Sequence, residues 1–186
     1  MTTPLLKSFR HFVGYHRILL SIAVGGVLYA FAMPTAWTII AGLPMVLCGE
    51  GIRIWSSGHI TKNKTLVRTG PYAWIRHPLY LGNFLIGFGF AVMTAQIRLM
   101  ILYLFAFGVI YYSTITEEEN FLQERFGPEY SEYTRQVPLF LPRPKGIAEG
   151  QTEFRWERVK AHREYKTWLA IGILLGLMIF KSYYVS

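Results

Sequence analysis

Five apolar stretches, at about 17–33, 35–55, 79–95, 97–115 and 167–184, occupy half of this 186-residue chain. Most are near the roughly 20 residues that an α-helix needs to cross hydrocarbon. A hydrophobic fraction of 52%, an aromatic fraction of 16% and a mean hydropathy of +0.29 lie outside the usual range of a soluble domain of this size. The expectation is an all-α integral membrane protein: one membrane domain over 1–186, with five transmembrane helices and a cytoplasmic helical and extended segment between helices four and five.

Charge placement orients it. Seventeen of the 19 Lys and Arg residues fall around the start of the first stretch, between the second and third, or between the fourth and fifth; Arg98 and Lys181 fall on the other side. The positive-inside rule then puts the N-terminus in the cytoplasm and the C-terminus outside, in a cytoplasmic (inner) membrane. The net charge of +8 becomes a topology signal, and no nucleic-acid partner is expected, because these basic residues flank helices instead of covering one face of a soluble domain. A signal peptide is an alternative for the first stretch, since Lys7 and Arg10 precede a run ending Ala30-Phe31-Ala32. Cleavage there would leave the second helix almost no leader, whereas a retained first helix makes a tight hairpin at Met33-Pro34-Thr35. Cys48, the single cysteine, can form no internal disulfide.

Segment 116–166 holds ten of the eleven acidic residues, all glutamates. Helix four should continue to Phe126 and stop at Gly127-Pro128. Tyr130, Tyr133 and Val137 at helical spacing lead into Pro138-Leu139-Phe140-Leu141-Pro142-Arg143-Pro144, which should lie extended. Residues 153–166 mix Phe154, Trp156 and Tyr165 with charges, and read as an interfacial helix feeding the last span. Gly82, Gly87 and Gly89, and Gly25-Gly26, should allow close helix approach; Gly172 and Gly176 form a small-xxx-small pair suited to packing or dimerisation.

Two polar clusters carry the chemistry. In Gly70-Pro71-Tyr72-Ala73-Trp74-Ile75-Arg76-His77-Pro78-Leu79-Tyr80-Leu81-Gly82, proline favours the first helical position, so His77 is the expected N-cap. The amides of Leu79 and Tyr80 would then stand unpaired at the positive end of the helix dipole, an anion site to which Arg76 adds a full charge. A plain interfacial anchor is the alternative, because Arg, His, Tyr and Trp all favour headgroups. Glu117-Glu118-Glu119 ends the next apolar run, where the dipole disfavours carboxylates and a cation should compensate. Glu117 reads as a solvated charge, while Glu118 or Glu119 would face back across the hairpin toward Arg76 or a ligand ammonium. Glu50 and Arg53, at i, i+3, should neutralise one another as a structural pair.

An anion site facing carboxylates among Tyr72, Trp74, Tyr80, Tyr130 and Tyr133 suits a ligand with a carboxylate, an ammonium, a soft cation and a planar base. S-adenosylmethionine has all four.

The run from Leu66-Val67-Arg68-Thr69-Gly70 through Arg76-His77-Pro78-Leu79-Tyr80-Leu81-Gly82, then Glu118-Glu119-Asn120-Phe121-Leu122, then Phe126-Gly127-Pro128-Glu129-Tyr130-Ser131-Glu132-Tyr133 with Val137-Pro138 and Pro142, resembles the isoprenylcysteine carboxyl methyltransferase and phospholipid methyltransferase superfamily over about 50–143. The resemblance implies an S-adenosylmethionine-dependent methyltransferase. Its cofactor positions would be Arg76, His77, Pro78, Leu79, Tyr80, Gly82, Glu118 and Glu119, with Tyr130 and Tyr133 alongside. Glu118, Glu119 or His77 would be the catalytic group where the acceptor must lose a proton, and the E-E-x-x-L pattern turns Glu118 toward Arg76 and His77. Thr114 and Thr116 stand where eukaryotic isoprenylcysteine enzymes carry a substrate-linked Arg, and the fifth span has no counterpart in the pattern. The acceptor is therefore expected to be a lipid or lipid-linked molecule, drawn from the bilayer, offering a carboxylate, thiol or amine. The alternatives are an NADPH-dependent membrane reductase of the same superfamily, which would need clustered Arg and Lys for its phosphates, and a non-catalytic membrane partner protein.

Overall fold

The computed structural model describes residues 4–60, 65–140, 142, 146–147 and 152–185, with side chains described from 16 to 184 within those ranges. Leu141, Arg143 and Pro144, named above, and Lys62, Lys64 and Lys145 among the seventeen basic residues lie outside the described residues. The described residues form helices α1 (Pro4–Phe31), α2 (Ala36–His59), α3 (Pro78–Met93), α4 (Ile97–Phe126), α5 (Pro128–Gln136), α6 (Trp156–Ala161) and α7 (Tyr165–Val185), with a 3-10 turn at Gly70–Ala73 before α3.

Local chemistry sets these boundaries. Thr35 caps α2 in a reciprocal box: Thr38 N–H donates to Thr35 Oγ1 at 3.3 Å, and Thr35 N–H donates to Thr38 Oγ1 at 3.0 Å. Pro78 opens α3 directly after His77, as its fixed φ favours. Gly127, at φ 52°, breaks α4 from α5 in a conformation that a side chain would strain, and Pro128 opens α5. Residues 138–140 are non-helical as expected, but α6 covers only Trp156–Ala161 of the longer interfacial helix anticipated there.

The long helices run antiparallel, and contacts at both ends hold them so. At one end Met33 N–H donates to Thr94 O at 2.9 Å, and Lys181 Nζ donates to the carbonyls of Tyr29 and Ala30 at 2.6 and 2.9 Å. Near that end Ala32, Val46, Phe90, Met93 and Met178 form a core joining α2, α3 and α7 to the end of α1. A second cluster of Leu28, Ala91, Leu99 and Tyr103 joins α1, α3 and α4.

The closest approach is between α2 and α3. A Cβ on Gly49 would lie 2.6 Å from Gly82 O, and one on Gly89 would lie 2.7 Å from Gly42 O, so two glycine pairs spaced by seven residues let the backbones touch. Gly25 and Gly26 do not serve this purpose, for a Cβ added at either would meet no other part of the described residues within 4 Å. Gly172 and Gly176 are equally open.

Outward faces are apolar: Ile18, Trp37, Phe105, Leu169 and Phe180 are all exposed, which only a lipid solvent tolerates on this scale. Three helices, α2, α4 and the 165–184 part of α7, are long and apolar enough to cross a membrane. Five full spans are not established by these helices, since α3 has 16 residues and the apolar helix within the described side chains of α1 covers 16–31. At 1.5 Å per residue those two reach about 24 Å, short of the roughly 30 Å hydrocarbon core. The chain is an all-helical integral membrane protein.

Candidate active site

The two polar clusters meet at the end of the bundle where α3 begins and α4 runs on past its apolar part. Arg76 Nη1 donates to Glu119 Oε1 at 2.6 Å and Oε2 at 2.8 Å. His77 Nε2 lies 3.0 Å from Glu119 Oε1, and the Tyr130 hydroxyl donates to the same oxygen at 2.9 Å. A carboxylate only accepts, so this arrangement places the His77 proton on Nε2. Glu118 takes a different partner, accepting from the Tyr80 hydroxyl at 2.6 Å, with His77 Nδ1 at 3.8 Å.

This pairing corrects one expectation. Glu119, not Glu118, pairs with Arg76, while His77 lies between the two glutamates, 3.0 Å from Glu119 and 3.8 Å from Glu118, because adjacent helical residues point roughly 100° apart. The side chain of Glu118 is 40% exposed against 26% for Glu119, so Glu118 is the more open carboxylate. A second expectation also fails in part. The Tyr80 amide is not free, as it donates to His77 O at 3.1 Å in a tightened first turn, and His77 makes no side-chain cap.

His77 stacks on Tyr80 with ring centroids 5.5 Å apart, and Tyr80 meets Tyr111 edge-on at 5.3 Å. Pro78 is fully buried beneath them. Leu79 is half-buried. Gly82 lies against Gly49 and Arg53, where it serves helix contact.

Helix α5 folds back over the site. Tyr130, Tyr133 and Val137 bury against Leu66, Leu122, Phe126 and Ile147. The Tyr133 hydroxyl bypasses the glutamates and donates to Tyr72 O at 2.8 Å, fixing the 3-10 turn to α5. The next segment stays in place through Arg76 N–H donating to Pro138 O at 3.0 Å. Burial pushes the Tyr130 hydroxyl well above its ordinary range, and the neighbouring Glu119 charge pushes it further; burial does the same for Tyr133. Burial and then the Glu118 charge raise Tyr72. All three therefore remain protonated donors at neutral pH.

Beside Glu119 a cleft of about 430 Å³ runs along α4, lined by Phe107, Tyr111, Ile115, Asn120, Leu139 and Phe140 among others. It is aromatic and apolar, with the carboxylate among its lining groups. Sequence reasoning had passed over Tyr111, Asn83 and Arg17. Arg17 of α1 stands close to the Tyr80 hydroxyl, which donates to Glu118, and Asn83 stands close to the Tyr111 hydroxyl. The α3 positions 80 and 83, one turn apart, are the signal that would have found Asn83.

Fold and site together define a helical membrane protein with an acid-base cluster at one end of its bundle and an apolar cleft beside it. The chain belongs to the isoprenylcysteine carboxyl methyltransferase family, whose model matches residues 42–124. It is 33% identical over 147 residues to the nickel-cobalt-cadmium resistance protein NccN of Alcaligenes xylosoxydans xylosoxydans, covering 74% of this chain and 68% of that protein. Identity to the cobalt-zinc-cadmium resistance protein CzcN of Cupriavidus metallidurans is also 33%, over 141 residues, covering 72% of this chain and 65% of that one. The human protein-S-isoprenylcysteine O-methyltransferase is 36% identical over 123 residues, which are 60% of this chain and 43% of the human protein. The chain thus spans about two thirds of the resistance proteins' length and under half of the human enzyme. No solved structure matches it.

Proposed function

We propose that this protein transfers the methyl group of S-adenosylmethionine to a lipid-borne or apolar acceptor at the cytoplasmic membrane face. The observation that carries the reading is convergence: two carboxylates, one guanidinium, one imidazole and two tyrosine hydroxyls meet at the mouth of an apolar cleft, within or next to the family-matched residues. Two carboxylates at the site, Glu118 and Glu119, suit the ammonium and sulfonium of S-adenosylmethionine better than the phosphates of a dinucleotide, which favours methyl transfer over reduction.

The cofactor supplies a methyl group on a sulfonium, its own leaving group. The protein's part is to hold methyl and acceptor in line, which accounts for much of the barrier reduction. Arg76, His77 and Tyr130 fix Glu119 so that its charge does not wander; Tyr80 fixes Glu118, whose exposed oxygen faces a ligand cation. The cleft along α4 admits the apolar part of the acceptor sideways from the bilayer. A thiolate or carboxylate acceptor needs no base, while an amine would release its proton to Glu118, Glu119 or His77.

The same reading takes all five apolar helices as spans, with the short α3 and 16–31 segments reaching both faces through local thinning of the bilayer. It also places the N-terminus and the site in the cytoplasm and the C-terminal end of α7 outside. The 17-to-2 division of basic residues supports this, as does the antiparallel order of the helices.

Calorimetry of the detergent-purified protein with S-adenosylhomocysteine, S-adenosylmethionine and NADPH tests the proposal. Glu118→Gln should weaken S-adenosylmethionine about ten- to a hundredfold, the value of a charge-assisted contact, while Glu117→Gln leaves it unchanged. Tight NADPH binding, or no difference between those two variants, would sink it.

A further inference from the structure

Residues 156–185, which carry α6 and α7, lie outside the family-matched region, yet they insert one acidic side chain into the site end of the bundle. Arg163 adopts φ 57°, and the turn it makes sends Glu164 back toward α2. Glu164 is 4% exposed. Its Oε2 accepts from Arg53 Nη2 at 2.7 Å, and Arg53 also donates to Thr167 Oγ1 at 3.2 Å and to Asn83 Oδ1. Glu50, the partner expected for Arg53, lies farther off at 3.7 Å and instead accepts from Trp168 Nε1 at 2.6 Å.

This second cluster is continuous with the first. Asn83 stands close to the hydroxyl of Tyr111, whose ring packs on Tyr80, which donates to Glu118. Between the two clusters stands the Tyr72 hydroxyl, on a residue only 7% exposed, with no hydrogen-bond partner. Glu118, Tyr80 and Glu164 all lie within electrostatic reach of it. Arg53 Nε is also buried without a hydrogen bond. A buried hydroxyl left unpaired is costly, and a bound polar ligand would recover that cost.

We propose that Glu164 is a positioning residue of the methyl-donor site: it holds Arg53 beside Asn83, where Arg53 takes the carboxylate of the donor's amino-acid end while Glu118 and the Tyr72 hydroxyl face its ammonium. The ligand class is a zwitterionic amino acid joined to a nucleoside, so the inference rests on the methyltransferase reading. On this account α6 and α7 complete the site as well as anchor it.

Two ligands separate positioning from scaffolding, because S-adenosylhomocysteine has the amino-acid end and 5′-methylthioadenosine lacks it. With the full chain in detergent, Glu164→Gln should weaken S-adenosylhomocysteine about tenfold and leave 5′-methylthioadenosine within about twofold. Thr167→Val, which removes one Arg53 partner and no charge, should act in the same direction by about threefold, and it carries the test if Glu164→Gln does not fold. Equal losses for both ligands, or no loss for either, would overturn the role of Glu164 while the parent's binding still stands. A parent that binds neither ligand overturns the methyl-donor reading, and this proposal with it.

Discussion

Arg76 and Glu119 are joined twice over, one guanidinium nitrogen lying within 2.8 Å of both carboxylate oxygens. The contact spans 43 residues and ties the start of α3 to the part of α4 that runs beyond its apolar stretch. Because Glu119 also takes His77 and Tyr130, it is the hub on which α3, α4 and α5 are assembled. Glu118, bound by Tyr80, is the more exposed of the two carboxylates.

Removing that hub should be felt as lost stability. Glu119→Gln keeps the shape but takes away the charge that three donors share, and should destabilise the protein by about 1.5–3 kcal/mol. Glu117→Gln should stay within about 0.5 kcal/mol as a surface change. Thermal unfolding in detergent reads both, and equal midpoints would remove Glu119 from its structural role.

The α2–α3 seam makes a sharper demand. Gly49→Ala would place its Cβ 2.6 Å from Gly82 O, a backbone atom that cannot step aside, and should cost about 1–3 kcal/mol through overpacking. Gly25→Ala meets nothing within 4 Å and should be neutral or stabilise by up to about 1 kcal/mol through helix propensity. The pair of melts checks whether the glycines act by space or merely by composition.

Much of this architecture was legible because hydrocarbon imposes a simple pattern. The apolar runs located α2, α4 and α7, Pro78 started α3, and Gly127-Pro128 ended α4. Their spanning power was less legible, since run length near 79–95 did not reveal that α3 stops at Met93. At the site, local spacing brought Arg76, His77 and Tyr80 together, but the choice between Glu118 and Glu119 depends on the rotation of α4, which tertiary packing sets. Glu164 was illegible for a stronger reason: 111 residues separate it from Arg53, and nothing local announces the contact. The i, i+3 proximity of Glu50 to Arg53 pointed to the weaker partner.

Alkaline pH should loosen α5 before the membrane helices. The folded-state pKa of Tyr133 is raised above its ordinary value of 10 by burial, so its contribution is fully present below pH 10 and is lost as pH rises toward the folded value. Ionisation also removes the proton donated to Tyr72 O. Amide hydrogen exchange of 128–137 should accelerate above pH 10 relative to α2, after correction for intrinsic rates, and Tyr133→Phe should reduce that pH dependence, with Tyr130 carrying the rest. Parallel behaviour of the two segments in the parent would contradict it.

Gly108 offers a test of the cleft that leaves the acid-base cluster alone. It lies on the cleft wall, one turn before Tyr112, and an added Cβ meets nothing within 4 Å, so Gly108→Leu should fold normally while projecting bulk into the space assigned to the acceptor. A misfit of a few methylene groups in an apolar pocket discriminates by about tenfold or more, so KM for apolar acceptors should rise by at least that factor. Binding of S-adenosylhomocysteine should not change, since the Glu118 and Arg53 contacts lie on other residues. The measurement is radiolabelled methyl transfer to extracted lipids alongside calorimetry of both proteins. A loss confined to acceptor KM would support the cleft as the acceptor's path, whereas unchanged transfer would place the acceptor elsewhere, and a loss of cofactor binding would mean that the cleft belongs to the methyl donor.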